Sequence, residues 1–173
     1  MNKLEKFSSD QIRIVSNTAA VAEDLVNNFY KMSQSQWFGS KYDIKTLADL
    51  KDDEIIHGPF AQVVRYEGKK KDRILGSSVY DFYKICIQDH SVLSVMNKCP
   101  EIKLSPFILY IVAHELIHVL RFCKFFQNFD ASSHEKMEEE GRVHAQTRKI
   151  IEPVNLQGLQ SVLKFYKRWD KSF

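Results

Sequence analysis

Pro106 opens a segment, Phe107–Phe126, whose apolar residues point in nearly every direction around a helix. Ile108, Leu109, Ile111, Val112, Leu116, Ile117, Val119 and Leu120 leave it no polar face. Proline suits the first helical position, because its missing N–H has no partner there in any case. A helix apolar all round must be wrapped by the rest of the chain. The fold therefore has to be built about residues 106–126. Uncharged runs stay short of the roughly 20 residues needed to cross a bilayer, so no membrane is expected.

The other elements can be read as layers around this helix. Ile12, Val15, Ala19, Ala22, Val26 and Phe29 recur every three or four residues, predicting a helix over about 10–33 with Ser9 as its N-cap. Residues 34–58 have weak periodicity, with a short helix expected around Ile44–Leu50. Phe60–Tyr66 is rich in valine and aromatic residues and ends on the turn signal Glu67-Gly68. Tyr80–Gln88 alternates, with Phe82, Lys84 and Cys86 on one face and Tyr83, Ile85 and Ile87 on the other. The two segments are expected to pair antiparallel in a small sheet over about 60–88. A short helix is expected over His90–Asn97. Ser132 with Glu135 three residues on has the form of a capping box, starting a helix over about 133–151 that Pro153 ends. Residues 155–169 read as a last, amphipathic helix. The fold class expected is α+β: one domain over 1–173, mostly helical, with a small sheet preceding the central helix.

Inside that central helix stands His114-Glu115-Leu116-Ile117-His118. Residues four apart share a helix face, so both imidazoles can reach one ion. Glu115 is turned about 100° from His114, where it can take a proton from a water activated by the metal without ligating it. Ile111, Val112, Ala113, Val119 and Leu120 supply uncharged flanks. Two buried imidazoles and a carboxylate with no partners would each be costly, which favours a metal site over a chance grouping.

Two histidines do not complete a catalytic zinc site, which has three protein ligands and a water. The third is sought on the helix over 133–151. Met137, Val143, Ile150 and Ile151 define its expected apolar face, with Glu140 and Thr147 near the centre, Glu139 at the edge and Glu138 pointing to solvent. A carboxylate centred on an apolar face is costly unless it is paired or binds metal, which selects Glu140. Glu139 and His144 remain alternatives. If Glu140 ligates, His144 is placed to hydrogen-bond it or to donate to the transition state. Arg121, one turn beyond His118, can pair with a carboxylate near the site. His57, His90 and His134 read as loop or surface residues, and Phe122–Phe129 as the packing of the corner.

His114, Glu115, His118 and Glu140 together resemble the zincin metallopeptidases, in particular the gluzincin branch. That resemblance implies zinc as cofactor, metal ligands His114, His118 and Glu140, and Glu115 as general base with His144 assisting. It implies a sheet before the active-site helix, with Phe82–Gln88 as the edge strand along which a peptide or protein substrate binds by strand addition. The helix over 10–33 would back the sheet. A zinc-binding domain without catalysis, acting as a binding or regulatory module, is the alternative.

Charge and cysteine usage narrow the partners. The net charge is +3. Lys69-Lys70-Lys71 after Gly68 reads as a solvated hairpin tip, so no nucleic acid is expected. Cys86, Cys99 and Cys123 are an odd set without paired short spacing, and the N-terminus lacks the apolar stretch of a secretory signal. Both features suggest a reducing, cytoplasmic setting, with Cys86 and Cys123 as small buried hydrophobes.

Overall fold

The computed structural model describes residues 3–32, 42–68, 80–123 and 131–169. The fold is mixed α and β: five helices and a three-stranded sheet among the described residues. In chain order they are α1 (Ser9–Phe29), β1 (Tyr42–Lys45), β2 (Ala61–Gly68), β3 (Tyr80–Ile87), α2 (Asp89–Lys98), α3 (Leu104–Cys123), α4 (Ser133–Ile151) and α5 (Leu159–Trp169).

The central helix is α3, and it packs against α1, α4, α5, β2 and β3. Phe107, Ile108, Tyr110, Val112, Leu116 and Ile117 are fully enclosed. The helix begins two residues earlier than Pro106, which sits in the first turn where its missing N–H still costs no hydrogen bond. Among the described residues α3 is the one helix long and apolar enough to cross a membrane, and 78% of that stretch is buried inside the fold.

The sheet has the order β1-β3-β2. β2 and β3 pair antiparallel as expected, with Val63 opposite Ile85 and Ala61 opposite Ile87. β1 pairs parallel to the other side of β3, Ile44 opposite Ile85. Two expectations are thereby corrected. Ile44–Leu50 is not a helix: Tyr42–Lys45 extends to satisfy the second edge of β3, and only Leu47–Asp49 coils, as a single 3-10 turn. The segment Phe82–Gln88 is not the edge strand, because β3 is central; among the described residues the outer strands are β1 and β2. The Lys69-Lys70-Lys71 run and most of the Phe122–Phe129 corner lie outside the described residues.

Helix caps follow local chemistry. Ser8, not Ser9, caps α1: its hydroxyl accepts from the Gln11 N–H, and the Gln11 side chain accepts from the Ser8 N–H. Ser132 accepts from the Glu135 N–H at the start of α4, as expected. The carboxylate of Asp89 accepts from the backbone N–H groups of Phe7 and Leu47, at 2.9 Å each, pinning both segments to the start of α2. Thr18 of α1 and Ser105 of α3 share a hydroxyl contact of 3.3 Å. Cys86 is enclosed, whereas Cys123 is half-buried at the end of α3. Burial pushes the Cys86 thiol up to about 12, so it is an inert packing group.

Candidate metal centre

His114 and His118 lie one turn apart on the enclosed helix α3, and their Nε2 atoms are 3.2 Å apart. Glu140 of α4 reaches across to both. Its Oε1 is 2.7 Å from His118 Nε2 and its Oε2 is 3.2 Å from His114 Nε2. All three donors fall within 4.8 Å of one another. Donors around a tetrahedral ion with bonds of about 2.0–2.1 Å stand roughly 3.3 Å apart; the two 3.2 Å spacings match this, and the 2.7 Å contact of Glu140 with His118 would have to open slightly to admit a cation. The donor set, two imidazoles and a carboxylate, is one that zinc accepts. The structure thus brings together the three residues singled out as ligands.

Glu140 is nevertheless not where the helical projection put it. The buried face of α4 is Glu139, Val143, Thr147, Ile150 and Ile151. Met137, expected on that face, is 60% exposed. The carboxylate centred among buried groups is Glu139, and its cost is met by cations. Arg121 of α3 donates from Nε and Nη2 to its two oxygens, and Arg142 Nη1 adds a contact of 3.3 Å. The Glu140 side chain stays half exposed and reaches the imidazoles from the rim. The two neighbouring glutamates have exchanged expected positions, and Arg121 pairs with the buried one.

The electrostatics agree with that arrangement. Burial tends to raise the Glu140 carboxyl, but hydrogen bonds and charge attraction from His114 and His118 outweigh it and hold it well below the usual carboxylate range. Glu115 moves the other way. Burial pushes it up to about 7; attraction to His118 opposes the rise and repulsion from Glu140 adds to it. A carboxyl poised near neutrality can both accept and return a proton.

His144 is held at both ring nitrogens. Its Nδ1 is 2.8 Å from the Tyr110 hydroxyl, and its Nε2 is 3.5 Å from Glu140 Oε2. With the Tyr110 hydroxyl as the donor to Nδ1, the ring proton sits on Nε2, the nitrogen nearer Glu140. Of the other histidines, His57 and His134 are exposed as expected, whereas His90 is half-buried with Nε2 2.9 Å from the Ile56 carbonyl.

The centre opens on a cavity of about 720 Å³ lined by His114, Glu115, His118, Glu140 and His144. Its apolar wall comes from Ile56, Phe60, Ile111 and Phe122, and Ala61, Gln62 and Val63 of β2 line it in succession. Three consecutive strand residues point alternately to opposite faces, so what they share is the strand's edge.

Tyr166 of α5 also lines the cavity. Its ring stacks on Tyr110 at 3.7 Å between centroids. Burial, then the nearness of Tyr110, Glu115 and Glu140, raises its hydroxyl well above the ordinary range, so it keeps its proton. The sequence marks residues 155–169 as an amphipathic helix without singling out Tyr166. The available signal was a tyrosine on the apolar face of an amphipathic helix, since an enclosed phenol needs a polar destination.

Comparison with protein-family models, with curated proteins and with solved structures finds no match to this chain.

Proposed function

We propose that the chain is a zinc-dependent hydrolase of the metallopeptidase kind, resembling the gluzincin branch of the zincins. The observation that carries this reading is geometric: the donors of His114, His118 and Glu140 lie within 4.8 Å of one another on a cavity that Glu115 also lines. A purely structural metal site has no need of the Glu115 carboxyl. His114, His118 and Glu140 would hold the zinc, which when bound would acidify a water and act as a Lewis acid toward a carbonyl.

The protein's own side chains do the rest. Glu115 accepts the proton of the attacking water and returns it to the leaving amine. His144 and Tyr110 hold the Glu140 carboxylate in place. Tyr166 keeps its hydroxyl proton inside the cavity, beside Glu115 and Glu140. An extended peptide adds to the outer edge of β2, where Ala61, Gln62 and Val63 meet the cavity, with its side chains against Phe60 and Phe122.

The test is the pair Glu115→Gln and wild type, each loaded with zinc and offered a mixed peptide library. Equal zinc content with cleavage by wild type alone supports the reading. Equal cleavage by both proteins overturns the role of Glu115. One tightly held zinc with no cleavage by either would instead favour a zinc-binding module without catalysis.

A further inference from the structure

The face of α3 that meets α4 carries three side chains in a row: His114, His118 and, three residues on, Arg121. Opposite them α4 presents two consecutive carboxylates, Glu139 and Glu140, about 100° apart around the helix. The two are neighbours in sequence with side chains of the same length. Of the two, Glu140 meets the imidazoles. Arg121 takes both oxygens of Glu139 in a two-pronged contact. Arg142, one turn along α4, braces the same carboxylate. Glu139 is left with 5% of its side chain exposed.

We propose that Arg121 and Glu139 form a register clamp that decides which of two adjacent carboxylates faces His114 and His118, and that they are thereby positioning residues for metal binding. This rests on reading His114, His118 and Glu140 as a metal centre.

The clamp does two things that ordinary helix packing does not. It fixes the rotation of α4 about its axis, because a forked guanidinium and a planar carboxylate meet in one geometry. It also keeps the Glu139 charge occupied, so that this carboxylate does not compete for the cation. Apolar residues of similar volume would hold two helices together as well as a buried ion pair, and often better. They would not fix the rotation. A structural role and a positioning role therefore separate on one variant.

The variant carries Arg121→Met together with Glu139→Leu. It is compared with wild type and with Glu138→Gln, whose carboxylate pairs on the surface with His134 and Arg142. Two quantities are read: the melting temperature of the metal-free protein, and the zinc dissociation constant by competition with a chromophoric chelator. The expected result is a metal-free melt at or above that of wild type, with zinc affinity at least about tenfold weaker, while Glu138→Gln binds as wild type does. A loss smaller than about tenfold in the apolar pair overturns the clamp. Should that protein not fold, Glu139→Gln, which keeps the shape and removes the charge, carries the same comparison against the same threshold. Wild type that takes up no zinc overturns the metal centre and the clamp with it. Zinc-binding wild type with an unaffected variant overturns the clamp alone.

Discussion

The Nε2 atoms of His114 and His118 face each other at 3.2 Å, with the Glu140 carboxylate closing the third side. Three lone-pair donors so close repel one another unless a proton or a cation lies between them. Metal should therefore stabilise the folded state by mass action. At a free zinc concentration a hundredfold above its dissociation constant, the gain is about 2.7 kcal/mol. For a chain of this size that raises the melting temperature by roughly 5–10 °C. His118→Ala should lose the zinc-dependent rise altogether. A thermal melt with and without zinc checks it, and an unchanged midpoint in wild type counts against the site.

Outside the centre, Glu54 is the most strongly held carboxylate of the sheet side. It is almost fully enclosed, and its oxygens accept from the Lys51 N–H and the Lys84 ammonium at 2.8 Å each and from the Tyr66 hydroxyl at 2.5 Å. Burial alone would raise this carboxyl; the hydrogen bonds and the Lys84 charge outweigh it and bring it down to about 2 from 4.5. A depressed carboxyl stabilises the fold fully above pH 4.5. That contribution fades as pH falls from 4.5 toward 2. Glu54→Gln should cost about 3 kcal/mol near neutral pH, because Lys84 loses its counter-charge. The gap between wild type and variant should narrow across the same acid window. Urea unfolding at several pH values between 2 and 7 checks it, and a gap independent of pH would contradict this role for Glu54.

Much of this fold was legible because it rests on long periodic segments. The all-round apolarity of residues 107–120 placed the core helix, and the alternation of Tyr83, Ile85 and Ile87 placed β3. What stayed illegible depended on partners distant in sequence. Tyr42–Lys45 is a strand because β3 has an edge to fill, a fact absent from those four residues. Glu139 is buried and paired with Arg121 of another helix, and no projection of α4 alone contains Arg121. The projection of α4 alone puts Glu140 on the apolar face, whereas it meets the imidazoles from beside that face. Tyr166 entered the cavity through the packing of α5 against Tyr110, an interhelical contact that local pattern does not specify.

Two glycines should respond to alanine with opposite signs. Gly158, just before α5, has φ of +86° and would place a Cβ 3.4 Å from the Pro106 side chain. Alanine in that left-handed region costs about 1–2 kcal/mol. Gly141 sits within α4 with open space around it. Alanine there gains about 0.5–1 kcal/mol from helix propensity. Melting curves of the two single variants should therefore shift down and up respectively. Equal shifts would mean that the backbone at Gly158 relaxes freely.

Tyr110 joins the core to the site, because its ring stacks on Tyr166 while its hydroxyl meets His144. Tyr110→Phe keeps the ring and deletes only the hydroxyl. The His144 Nδ1 then loses its contact with the Tyr110 hydroxyl, and with it the constraint that contact places on the tautomer. The Nδ1–H tautomer, then open to the ring, presents a lone pair and not an N–H toward Glu140. The fold should lose about 1 kcal/mol, the ordinary net worth of one hydrogen bond. Zinc affinity should fall on the order of tenfold, the effect expected when the group that orients a ligand is removed. His144→Ala should weaken zinc to the same degree, and adding Tyr110→Phe to it should cost nothing further, since the two act in series. Additive losses in the double variant would show that Tyr110 reaches the site by another route.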